Sequence, residues 1–286
     1  MRSIDIDSPY LPTSVSAPTR PYFVRIAQPA LKLSAALWFL VAVAGQLIFV
    51  TYIVGFYGRA ALHGDFQAWN KVMPHGYVPG ATGQNALISV HLLFAAAIIL
   101  MGAAQLTPQL RAYAPGLHRW TGRTYLSAAL LMSVSGLLMV WTRGTVGDLS
   151  QHIAISLNAL MILASAGLAL RFAITRRIDR HRRWALRLFL SVCGVWFFRI
   201  GLMLWIVLNQ GPAGFDPKTF TGPFLSILAF GVYVVLPWTL LELYFRAQTS
   251  RKAIVHWATA GGLSVLSLVM LLGIAAATML MWLPQL

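Results

Sequence analysis

Seven apolar runs, each long enough to cross a bilayer, follow one another along the chain with short polar stretches between them. They cover roughly 30–56, 86–107, 124–142, 149–171, 184–208, 224–245 and 257–284. A helix needs about 20 such residues to cross the hydrocarbon layer, and in lipid every backbone N–H and C=O must find a partner inside the protein. The pattern predicts an all-α integral membrane protein: a single domain over 30–286 that forms a seven-transmembrane-helix bundle, with helices 2–5 as a four-helix core. Composition agrees, since 58% of residues are apolar and 10% charged, with a mean hydropathy of +0.70. Such a chain is too apolar for a disordered or soluble nucleic-acid-binding protein. A single cysteine, Cys193, excludes a disulfide scaffold. The first run is too long for a signal-peptide core and no small-residue cleavage site closes it, so it is expected to stay as an anchor. Residues 1–29, rich in proline and serine, are expected to form a flexible cytoplasmic tail.

The net charge of +15 arises from 22 basic residues that fall unevenly between the runs. Seventeen lie on one side, seven of them joining helices 4 and 5; four lie on the other side, and Arg199 lies inside helix 5. By the positive-inside rule the amino terminus is expected in the cytoplasm and the carboxyl terminus outside. This fits a multi-pass protein of a bacterial inner membrane whose basic side meets anionic lipid. The longest outer connection, about 57–85, has room to form a small cap.

Ionisable groups at membrane depth need a partner and are functional candidates for that reason. His91 is expected about 7 Å below the outer end of helix 2 and His152 about 5 Å into helix 4. Arg199 is expected about 8 Å from the same boundary on helix 5. Its counter-ion is expected to be Asp148 or something bound. Small neighbours, among them Ala95, Ser156 and Ala159, leave room for a flat ligand between the helices. At the cytoplasmic end, His118 follows Pro115, a first-turn proline, and His181 opens helix 5. Eighteen residues separate His181 from Arg199, a whole number of helical turns, so the two are expected on one face. Glu242 is expected to pair with the inner arginines.

Four histidines on four consecutive helices pair by alternation, His91 with His152 outside and His118 with His181 inside. A haem b needs two facing neutral imidazoles and cations for its propionates. Arg199 could serve the outer haem, and Arg119, Arg123, Arg182, Arg183 and Arg187 the inner one. The bundle is then expected to bind one or two haems b and to carry electrons between partners such as a quinol or a redox protein. Other readings stay open. The edge histidines could contact lipid head groups or an anionic substrate, and Arg199 with His91 and His152 could form a cofactor-free pocket for a transported or bound anion. The chain could also be an accessory subunit of a larger complex. No phosphate loop, HExxH, CxxC or intramembrane carboxylate pair is present.

The layout of these histidines resembles the dihaem transmembrane cytochrome b superfamily over about 85–210, which implies the ligand roles of His91, His118, His152 and His181. At the level of sequence the chain is similar to an uncharacterised bacterial membrane-protein family, domain-of-unknown-function family 2306. The residues that carry this are His91 with Gly102 and Gln105, then Leu117-His118-Arg119 with Gly122-Arg123-Thr124-Tyr125, then His181-Arg182-Arg183-Trp184 with Arg187 and Arg199. That resemblance implies a fold and no activity.

Overall fold

The computed structural model describes residues 22–73, 75–143 and 146–286, without the side chains of Tyr22 and Arg143. The expected tail therefore lies outside the described residues as far as residue 21. Residues 22–29 belong to a helix, because their apolar and aromatic side chains continue the first run around Pro29.

The described residues are helical, with one isolated antiparallel bridge, Asp216 to Thr221. Their α-helices are α1 (Tyr22–Tyr52), α2 (Arg59–Leu62), α3 (Thr82–Leu106), α4 (Pro108–Tyr113), α5 (Pro115–Leu138), α6 (Leu149–Ile174), α7 (Ile178–Val192), α8 (Gly194–Leu208), α9 (Pro223–Phe230), α10 (Leu236–Thr249) and α11 (Ala253–Ala277). Six continuous helical stretches are long and apolar enough to span a membrane. The pair α7 and α8, bent by 46° at its break, makes a seventh if it is taken as one span. Large side chains such as Leu33, Leu93 and Ile227 point outward and are mostly exposed, as a lipid-facing surface requires.

Helix starts follow local chemistry. Prolines stand in the first turns of α4, α5 and α9, where a missing N–H costs nothing. Asp148 caps α6 by accepting the Gln151 N–H at 3.1 Å. The helices α5, α7 and α11 begin four to nine residues before the apolar runs at 124, 184 and 257, so His118 and His181 lie within helices. Hydropathy misses the first turns of α5 and α7 because they are basic, yet their backbone bonds are made like any others.

Turns of π-helix occupy Ile53–Gly58, Met139–Arg143, Gly231–Val235 and Thr278–Trp282. The third of these precedes Pro237, whose ring nitrogen has no hydrogen to give to the preceding turn.

Helices 2–5 of the expected core do share one cluster, in which Ile98, Tyr125, Ala128, Ala166 and Leu188 meet from α3, α5, α6 and α7. The larger cluster lies elsewhere, where α1, α8 and α11 pack with Trp196, Ile200, Met270 and Ile274 buried between them. Gly273 makes that approach possible: a Cβ there would stand 2.8 Å from the Ile200 carbonyl oxygen.

Candidate functional sites at the two ends of the bundle

Among the described residues, two sizeable cavities between the helices hold the candidate groups. The one at the basic end, where α5, α7 and α11 begin, has a volume of about 980 Å³. The other has about 480 Å³ and lies toward the opposite, capped end. Tyr125 and Phe189 line both and so form the partition between them. Gly102 gives the two rings their place, since a Cβ would come within 3.1 Å of Tyr125 and 3.3 Å of Phe189.

His118 and His181 open into the basic-end cavity from α5 and α7, with Arg111, Arg119, Arg123 and Arg182 around them. His181 is held by its Nδ1, which lies 2.9 Å from the Ala169 carbonyl. A carbonyl only accepts, so Nδ1 carries the hydrogen and Nε2 keeps its lone pair, the arrangement that metal-bound histidines use. The Nδ1 of His118 is buried and has no hydrogen-bond partner. Gln105 fixes that helical turn by donating to the His118 carbonyl at 3.2 Å and to Thr121 at 2.6 Å. Two imidazoles from different helices among four arginines are a donor set that fits haem b and its propionates.

Arg183 and Arg187, expected beside them, point elsewhere. Arg183 stacks on Phe245, and Arg187 sits over Trp184, Trp238 and Phe245 at 4.8–5.5 Å from the ring centres. Arg187 pairs with Glu242 at 3.5 Å, and Glu242 also holds Arg246 at 3.1 Å. These two are the ion pairs among the described residues. Glu242 thus meets the inner arginines as its sequence position suggested, at the α7–α10 contact and away from the cavity.

At the capped end the expected pair separates. His91 lines the cavity from α3, its Nδ1 3.3 Å from the Ser135 hydroxyl, which gives its own hydrogen to the Met132 carbonyl. His152 does not line it. Its ring stands edge-on to Trp141, 6.3 Å between centres, and Trp141 bonds to Ser156 in the next turn. The residues present do not fit a haem held between His91 and His152.

Arg199 lines the same cavity. Its guanidinium lies over the Phe49 ring and 3.5 Å from the Val195 carbonyl, with no ion pair among the described residues. Asp148, the counter-ion considered from the sequence, is occupied by Ser150, Ser226 and the α6 N-terminus. The shared face expected for His181 and Arg199 is broken by the bend after Cys193, and the two enter different cavities. Gly194 sets the bend against its neighbours: a Cβ there would meet the Tyr233 ring at 2.9 Å and the Asn158 amide at 3.1 Å.

Several lining residues were not singled out from the sequence. Gln46 and Asn158 are amides buried at membrane depth, polar but not ionisable, so an argument from charged groups in the membrane does not reach them. His75 lies in the outer connection. That connection folds over the cavity and supplies Val72, Met73 and His75 to its wall. Trp69 is buried beneath it and donates to the Tyr57 carbonyl at 3.2 Å, while Asn70 clasps both backbone groups of Tyr77.

The family described as predicted membrane protein (DUF2306) matches residues 88–238, just over half of the chain. The chain belongs to this family. The matched stretch runs from within α3 to the start of α10 and contains all four candidate histidines and Arg199. No curated protein and no solved structure matches the chain.

Proposed function

We propose that this member of the DUF2306 family is a b-type cytochrome-like protein of the bacterial inner membrane that holds haem b at its basic end. One observation carries the reading: His118 and His181, on different helices, open into one cavity ringed by Arg111, Arg119, Arg123 and Arg182. Their Nε2 atoms would hold the iron, and the arginines would neutralise the propionates. The group would supply one-electron transfer, with a quinol or a redox protein as donor or acceptor. The partition of Tyr125 and Phe189 closes the site toward the other cavity. By the distribution of charge, the basic end faces the cytoplasm.

The reduced-minus-oxidised absorbance spectrum of detergent-purified protein tests this, with haem supplied during expression. A b-type α band lost in both His118→Ala and His181→Ala supports the reading. A flat spectrum from folded, monodisperse protein overturns it.

A further inference from the structure

The capped-end cavity holds a cation that the fold leaves without a counter-ion. Arg199 lines it from α8 and makes no ion pair among the described residues, and no described Asp or Glu lines the cavity. The guanidinium turns back along its own helix, 3.5 Å from the Val195 carbonyl, and lies over the Phe49 ring. It carries five N–H donors, and the Val195 carbonyl takes one of them at the limit of hydrogen-bond distance.

A second donor is stranded beside it. Trp196 stands three residues before Arg199 on α8, so the two side chains are neighbours on the helix surface. The indole Nε1 of Trp196 is buried without a hydrogen-bond partner, in a residue 3% exposed that lines the same cavity. Native proteins leave few buried N–H groups unpaired without a reason. Tyr52 adds a phenol from α1: it follows Phe49 by one turn, lines the cavity and is within electrostatic reach of Arg199.

Away from these donors the wall is apolar. Ile98, Ile99, Ala129 and Ile162 line it from α3, α5 and α6 and pack with Tyr125, one half of the partition. Val195 follows Phe189, the other half, by six residues, so the guanidinium beside it stands about 9 Å from the partition at 1.5 Å of rise per residue. The π-helical segments that end α1, α5 and α11 each contribute to the same cavity, through Tyr57, Met139 and Met281. Such widened turns are often found at functional sites.

From this we infer that the capped-end cavity is a binding site for an apolar monocarboxylate. The acid accepts from the Arg199 guanidinium and the Trp196 indole N–H, and the apolar body extends toward the partition. One unneutralised cation calls for one negative charge, and stranded donors call for an acceptor. The apolar wall calls for a body that fills it, which a bare inorganic anion does not have. The site uses neither His118 nor His181 and stands apart from the haem reading.

Isothermal titration of the purified full chain with 3-phenylpropanoate tests the inference, with 3-phenylpropanamide as the neutral analogue of the same shape and acetate as the acid without the body. The expected result is saturable 1:1 binding of the acid, at least tenfold tighter than that of the amide or of acetate. Arg199→Leu should remove the preference for the acid over the amide, and Arg199→Lys should largely keep it. Trp196→Phe keeps a ring in place and removes the N–H, so it should weaken the acid severalfold with little change in the thermal midpoint. That variant decides the matter even if Arg199→Leu does not fold. Absence of saturable binding to the wild-type chain overturns the inference, as does equal affinity for acid and amide. Acetate bound as tightly as the longer acid, or unchanged binding in Trp196→Phe, overturns it too. The haem spectrum, read on the same samples, reports the basic end separately.

Discussion

The two cavities are built on opposite principles. At the basic end, charge is abundant and surrounds a pair of imidazoles: four arginines line a space entered by one histidine from each of two helices. At the capped end, among the described residues, one arginine stands in an apolar shell, and several buried polar atoms around it, the Gln46 Oε1 and Asn158 Oδ1 among them, have no hydrogen-bond partner. A site of the first kind suits a large group with two negative arms, and one of the second kind suits a small molecule with one. The sequence motif His-Arg-Trp at 118–120, echoed as His-Arg-Arg-Trp at 181–184, puts the same chemistry on both sides of the first cavity. No such echo serves the second.

The comparison can be broken most sharply by charge removal. The triple variant Arg119→Ala, Arg123→Ala, Arg182→Ala is expected to weaken haem retention by roughly tenfold or more. Each charge-assisted bond contributes about 1.5–3 kcal/mol, although partly solvated arginines will give less than the full amount. The midpoint potential should fall as well, since removing cations disfavours the added electron. A redox titration that finds the potential unchanged would mean these arginines do not face the group.

Next in size is an effect belonging to neither cavity. Gly273→Ala forces a methyl against the Ile200 carbonyl and should destabilise the α8–α11 contact by about 1–3 kcal/mol. Thermal unfolding in detergent should shift downward while the haem spectrum keeps its shape.

A smaller change is expected where α6 begins. Asp148→Ala removes the cap and should cost about 1 kcal/mol. The carboxyl of Asp148 is held below its ordinary value of 3.8, chiefly by the Ser150 hydroxyl and then by the Gln151 N–H. A depressed folded value means that its contribution is complete above the unfolded value and is lost as pH falls through the folded one. Stability from this group should therefore be flat between pH 5 and 8 and decline only below about pH 4. Wild type and Asp148→Ala should converge there in thermal midpoint.

The smallest effect is expected for Glu242→Gln. The pair with Arg187 is half-open on the glutamate side, at 46% exposure, and such pairs contribute about 0–1 kcal/mol. Three aromatic rings still hold the guanidinium. A large loss on this substitution would show that the pair, rather than the rings, places Arg187.

Much of this architecture is legible in the sequence, because membrane depth is a length and apolarity is additive. Six of the apolar runs fall in continuous helices long and apolar enough to cross a membrane, the seventh is the bent pair α7 and α8, and Pro115 is the first residue of α5. Facing was less legible. His152 and Ser156 lie one turn apart on α6, yet only Ser156 lines the cavity, because Trp141 from the end of α5 takes the histidine ring. Arg199 and His181 share a face only on a straight helix, and the break after Cys193 depends on what packs against Gly194. Arg183 and Arg187 are close in sequence to His181, but their rotation about α7 turns them toward α10. A contact between distant elements decides each of these cases, and one helix read alone does not contain it.

The central claim is that the histidine pair at the basic end holds one haem and the histidines at the capped end hold none. Haem per polypeptide, measured by pyridine haemochrome on purified protein, tests it most directly. The account predicts one haem per chain, retained in the His91→Ala, His152→Ala double variant and absent in the His118→Ala, His181→Ala double variant. Two haems per chain, or one that survives in the second variant and disappears in the first, would contradict it.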